Sequence, residues 1–159
     1  MKKIITVFIG ILLPLMSVVS QQLIRVENAK YFDSNHNLYN GLYTEFFENG
    51  NKKLEMLLKN GEQDSVTTLY FETGKIKELR SYKTGLMNGY WATFNTNGTK
   101  ISEAFYADEK KDGTWKIWND DGQLIYEMHY KKGEKCGLWR IFKPNGDIQS
   151  ERSYDLQCQ

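Results

Sequence analysis

An all-β fold is predicted, an elongated single-layer antiparallel meander of five 24-residue β-hairpin repeats, and three observations predict it. Glycines recur at Gly50, Gly74, Gly98, Gly122 and Gly146, each step being 24 residues. A second series, Gly41, Ser65, Gly89, Gly113 and Gly137, keeps the same step, as does a third at Gly61, Gly85, Glu109, Gly133 and Gln157. The aromatics follow the same period, and after Pro14 the only proline is Pro144, so little interrupts runs of β-prone residues. Self-similarity at a fixed period is the signature of a repeat architecture.

The first segment, residues 1–20, is expected to be a signal peptide. Lys2 and Lys3 precede an apolar run from Ile4 to Val19, and small residues ending in Ser20 precede the polar Gln21 and Gln22. That order of charge, apolar stretch and small residue marks export with cleavage between Ser20 and Gln21, into either the periplasm or the extracellular space. Residues 21–40 form an N-terminal capping segment, in which Phe32-Asp-Ser-Asn-His36 resembles Phe46-Phe-Glu-Asn-Gly50, with His36 in the glycine slot. The repeats then run 41–64, 65–88, 89–112, 113–136 and 137–159.

Within each repeat two strands of six to eight residues, rich in aromatic and branched side chains, flank a glycine turn, which is the pattern of a hairpin. Asn49-Gly50, Asn97-Gly98 and Asn145-Gly146 suit tight turns, because both residue types tolerate positive φ. The stretches from Gly85 to Gly89 and from Gly133 to Gly137 are expected to be looser connections. Such short links make successive strands antiparallel neighbours, about ten in all. Trp115 and Trp118 differ in parity, so they share a face only if the strand is distorted, and the strand-opening glycines are expected to supply that distortion. Equivalent aromatics of adjacent repeats are then expected to stack along the long axis. At the C-terminus Cys136 and Cys158 fall close in stacked hairpins, where export permits a disulfide, the alternative being two unpaired thiols.

The recurring Gly-x-Trp-x-x-Phe/Trp, the Asn-Gly turn and the Tyr-Lys-x-Gly near each unit's end resemble MORN repeats. The 24-residue spacing is most similar to the bacterial variant branch commonly described as YwqK-like antitoxins. The likeness covers residues 41–159. It implies a β-hairpin array that acts as a protein-interaction or membrane-associating module. The second copy, with Ser65 and Thr67, departs most from the pattern, and the third lacks its late glycine.

Composition narrows the functions. With 21 Lys and Arg against 20 Asp and Glu, the chain lacks the clustered basic charge that nucleic-acid binding needs. His129 lies near Glu127 and Tyr130 but occupies a slot that other repeats fill with Leu57, Ser81, Phe105 and Ser153, so an ordinary strand position outweighs a catalytic one. Cys136 and Cys158 form no CxxC, and no His has a partner at a metal spacing. No cofactor, metal, small-molecule substrate or catalytic residue is expected.

Binding is the remaining role. Two files of aromatics recur, Tyr43, Trp91, Trp115 and Trp139, and then Phe46, Tyr70, Phe94, Trp118 and Phe142. Both offer contact area to an unidentified protein partner, although structural packing alone explains one aromatic per unit. The alternative is a peripheral module on membrane lipid headgroups or cell-envelope polymer, for which Lys110, Lys111, Lys116, Lys131, Lys132, Lys135, Arg140 and Lys143, against Asp112, Asp120, Asp121, Glu127 and Glu134, supply a mild excess of positive charge.

Overall fold

The computed structural model describes residues 24–26, 30–155 and 157–158. The leader and the cleavage point between Ser20 and Gln21 lie outside the described residues. The described strands are β1 (Ile24–Val26), β2 (Lys30–Phe32), β3 (Gly41–Phe46), β4 (Lys52–Lys59), β5 (Glu62–Gln63), β6 (Ser65–Tyr70) and β7 (Ile76–Lys83). They continue with β8 (Leu86–Phe94), β9 (Lys100–Ala107), β10 (Lys110–Lys111), β11 (Gly113–Trp118), β12 (Leu124–Lys131), β13 (Glu134–Phe142) and β14 (Ile148–Tyr154). β3 to β14 form one open antiparallel sheet of 12 strands in the order β14-β13-β12-β11-β9-β8-β7-β6-β4-β3, with the short β5 and β10 beside β4 and β9. The meander is therefore all-β and one layer thick.

The turn chemistry is the reverse of the sequence expectation. Asn60-Gly61, Thr84-Gly85, Asp108-Glu109 and Lys132-Gly133 each place both residues at positive φ, and each is flanked by a strand pair such as Lys59↔Glu62 or Lys131↔Glu134. These links between hairpins are the tight two-residue turns, whose twist matches that of the flanking strands. Inside each hairpin the loop is one residue longer. Phe47 N–H donates to Asn51 O at 2.8 Å and Gly50 N–H to Phe47 O at 3.0 Å, and of the Asn-Gly pair only the glycine (φ 84°) has positive φ.

Two irregularities recur in every unit. Near the hairpin loop, Ile117 pairs with Tyr126 but Trp118 pairs with Leu124, which leaves Ile125 as a bulge. Between units, Glu127 pairs with Arg140 and His129 with Cys136, so two steps on β12 face four on β13. The strand-opening glycine, here Gly137, lies in that excess.

Trp118 follows Ile117 in ordinary alternation, so Trp115 and Trp118 point to opposite faces. The bulge falls on the partner strand and does not unite them, which corrects the expectation that the glycines bring both onto one face. One face is called the ladder face below, and the other the row face, after the cross-strand row Glu103, Lys116, Glu127, Arg140 and Glu151.

A single layer buries little. Among the described residues Met56, Leu58, Thr67, Ala92, Tyr130 and Cys136 are buried. At the N-terminal end β1 pairs with β2, and Phe32 bridges to Leu38. His36 takes φ 62° in its turn, where Asp33 Oδ1 accepts the Asn35 and Asn37 N–H groups at 2.9 Å each. Tyr31 N–H reaches Gly61 O at 2.8 Å, and a Cβ on Gly61 would stand 2.7 Å from Tyr31 O, so that position requires glycine.

Candidate functional site

The aromatics on the ladder face form one continuous zigzag. Tyr82, Trp91, Tyr106, Trp115, Tyr130, Trp139 and Tyr154 follow one another with ring centroids 5.6, 5.1, 5.2, 5.3, 5.1 and 5.0 Å apart. The ladder therefore alternates early-strand Trp with late-strand Tyr, where like-with-like stacking was expected. Each contact contributes about 0.5–1.5 kcal/mol beyond the area it buries. Tyr43 stands apart from it, edge-on to Tyr39 at 6.5 Å, because Thr67 and Leu58 fill the slots between.

Hydrogen bonds lock the indoles. Trp91 Nε1–H donates to Ser81 O at 3.1 Å, Trp115 to Phe105 O at 3.0 Å and Trp139 to His129 O at 2.9 Å. Each acceptor lies opposite the inter-unit bulge, where the strand ladder is interrupted, so the indole serves a carbonyl at that interruption. Cations cover the rings: Lys111 lies 4.3 Å from the Trp115 centroid and Lys135 lies 4.5 Å from that of Trp139. Burial pushes the phenols of Tyr82, Tyr106 and Tyr130 up. Trp91, Trp115 and Trp139 are thus packed, bonded and covered, and their first use is structural.

The second file lies on the row face along the hairpin-loop margin. Phe46, Tyr70, Phe94, Trp118 and Phe142 pair with Lys52, Ile76, Lys100, Leu124 and Ile148. Lys100 sits 4.8 Å over the Trp118 ring. At the first two units this face also carries the Lys52–Glu55 ion pair, but apolar side chains stand open around it: Leu42 is 56% exposed, Phe46 49%, Val66 46% and Leu57 42%, with Ile76 also exposed. Beside Phe46, a depression of about 480 Å³ is lined by Phe47, Glu48, Asn49, Lys53 and Glu72.

Toward the C-terminus the same face is ionic. Glu127 meets Lys116 at 3.8 Å and Arg140 at 3.4 Å, and Arg140 meets Glu151 at 2.7 Å. Thr114 Oγ1 lies 3.1 Å from His129 Nδ1, and His129 Nε2 lies 3.7 Å from Glu127. The Glu127 carboxylate is already shared with Lys116 and Arg140, and the group lies partly exposed on an open sheet.

A set of clips between units escaped the sequence reading. Asn40 Oδ1 accepts the Asn60 N–H at 2.7 Å, Asp64 that of Thr84 at 3.3 Å, and Asp112 that of Lys132 at 3.1 Å, while Asn88 donates to the Asp108 side chain at 3.0 Å. The next position in this 24-residue series is Cys136, which forms a disulfide with Cys158, their Cα atoms 5.4 Å apart. The recurrence of Asn or Asp at 40, 64, 88 and 112 was the available signal.

A family model described as MORN repeat variant matches residues 39–60, 63–84, 111–132 and 135–156. It passes over the third hairpin, β8–β9, rather than the second, although the chain pairing there is as complete as elsewhere. No curated protein matches the chain.

Proposed function

This chain belongs to the MORN repeat variant family, and on that premise we propose that it is an exported, non-enzymatic module that binds another protein. MORN repeats are commonly protein- or lipid-binding modules. The observation that carries the protein reading is the apolar area of the row face at the first two units, where Leu42, Leu57 and Val66 stay exposed on a rigid sheet. Exposed apolar side chains grouped in this way mark interaction sites.

The cations argue in the same direction. Lys111 and Lys135 lie over ladder rings, Lys131 faces Asp112 at 3.7 Å, and Lys116 and Arg140 are engaged by Glu127. Of the eight basic side chains of this region, five are engaged in this way, and Lys110, Lys132 and Lys143 stay exposed outside these contacts. The YwqK-like resemblance points to an immunity or antitoxin-like role, with a toxin as the partner. The test is affinity capture from the envelope fraction with the protein and with its Leu42→Asp/Val66→Asp variant. A stoichiometric partner held by the first and lost by the second supports the proposal. Salt-sensitive co-sedimentation with anionic liposomes, without any protein partner, contradicts it.

A further inference from the structure

The two edge strands of the sheet are near-copies of two strands that lie side by side within it. β14 (Ile148-Gln-Ser-Glu-Arg152-Ser153-Tyr154) repeats β7 (Ile76-Lys-Glu-Leu-Arg80-Ser81-Tyr82) 72 residues on, and the Ile, Arg, Ser and Tyr are retained. β3 with its lead-in (Asn40-Gly41-Leu42-Tyr43-Thr44-Glu45-Phe46) repeats the body of β8 (Asn88-Gly89-Tyr90-Trp91-Ala92-Thr93-Phe94) 48 residues earlier, and the Asn, Gly, aromatic and Phe positions are retained. Inside the sheet β7 and β8 pair directly, with Arg80 opposite Trp91 and Glu78 opposite Thr93. From Ile148 to Ser153 β14 is exposed, and among the described residues no further strand of the sheet pairs with β14 or β3 on its outer side.

We propose that copies of this protein associate head to tail, β14 of one copy adding to β3 of the next as β7 pairs with β8. The internal boundary supplies the register. Ser150, Glu151 and Arg152 face Glu45, Thr44 and Tyr43 of the second copy. Arg80 lies 5.6 Å from the Trp91 ring, so Arg152 meets Tyr43 of the second copy in the same way, while the place that Tyr82 takes beside Trp91 is held at Tyr43 by that copy's own Tyr39, edge-on at 6.5 Å. Ser81 Oγ donates to Tyr90 O at 2.7 Å, whereas the corresponding carbonyl of Leu42 is served by the Tyr39 hydroxyl of the same copy at 3.2 Å, so the pairing between copies ends at Arg152. Cys158, tied to Cys136, holds the chain end beside this edge and confines the pairing to its hairpin-loop half.

Strand addition to an open edge is a general mode of recognition, and a head-to-tail contact that does not close gives open chains rather than a fixed dimer. The test is sedimentation velocity over a concentration series. The wild type is expected to show an average mass that climbs past two copies. Arg152→Glu and Tyr43→Lys, each confirmed as folded by circular dichroism, are each expected to weaken association roughly tenfold, the worth of one cation–aromatic contact. Mixing the two variants is expected to restore association only as far as 1:1 pairs, because each keeps one intact edge. Arg152→Gln and Tyr43→Ala replace any variant that fails to fold, with the same weakening expected of each alone. A wild type that stays monomeric at every concentration overturns the proposal. So does association that survives Tyr43→Lys but not Arg152→Glu, since that pattern belongs to a symmetric β14–β14 contact.

Discussion

The indole Nε1–H of Trp139 donates to the main-chain carbonyl of His129 at 2.9 Å, across the boundary between the fourth and fifth units. That bond ties the ladder to the backbone at the point where strand pairing is interrupted. Trp139→Phe keeps a ring in the ladder and removes the donor, and is expected to cost about 1–2 kcal/mol in urea unfolding. His129→Ala leaves the carbonyl in place and is expected to cost less than half as much. Equal losses would show that the indole bond contributes nothing of its own.

The Cys136–Cys158 disulfide takes the place of the side-chain clip that Asp112 and Lys132 make one unit earlier. Reduction, or the double replacement by Ser, is expected to lower stability by about 2–4 kcal/mol. The loss is expected to be local. Hydrogen exchange should quicken in β13 and β14 while β6 and β7 keep their protection, since stability in repeat arrays is a sum over neighbours.

Burial raises the phenols of Tyr82, Tyr106 and Tyr130 above the unfolded value of about 10. The sign follows from linkage: the native state favours the neutral ring, so the stabilisation is complete below pH of about 10 and is lost as pH rises through and beyond it. Absorbance at the phenolate band is expected to lag behind that of free tyrosine and then rise together with unfolding. A titration of all ten tyrosines at the ordinary value, with the fold intact, would rule this out.

Glu127 lies between Lys116 and Arg140 and is only partly exposed. Glu127→Gln is expected to cost about 0.5–1 kcal/mol at low ionic strength, and the difference is expected to shrink in about 1 M salt. A loss unmoved by salt would assign Glu127 a packing role instead.

The period, the strand count and the aromatic files were legible because glycine and aromatic side chains mark fixed points of a hairpin. Chirality and parity were harder to see. Asn-Gly is the commonest signal for a turn with two positive φ angles, yet here such turns use Thr84-Gly85 and even Asp108-Glu109. The backbone pairing that closes them, together with the clip from Glu109 N–H to Met87 O at 2.9 Å, outweighs residue preference. Trp115 and Trp118 stay on opposite faces because the bulge falls at Ile125 on the opposite strand, which no feature of their own strand announces. The cation cover from Lys111 and Lys135 depended on the inter-unit register, which single-strand patterns do not encode. The open apolar area at Leu42, Leu57 and Val66 escaped for the same reason, since alternation within a strand does not tell which face finds a neighbour.

The central claim is that each 24-residue period is one folding unit whose ladder rings join the next. It is tested most directly by deleting residues 89–112 and following far-ultraviolet circular dichroism through thermal unfolding. The shortened chain brings Tyr82 against Trp115 in the place of Trp91, and it is expected to keep a β spectrum and a cooperative transition, whereas deletion of residues 89–100 alone breaks the phase and should abolish both. Loss of folding on removal of the whole unit, or survival of the half-unit deletion, would contradict the account.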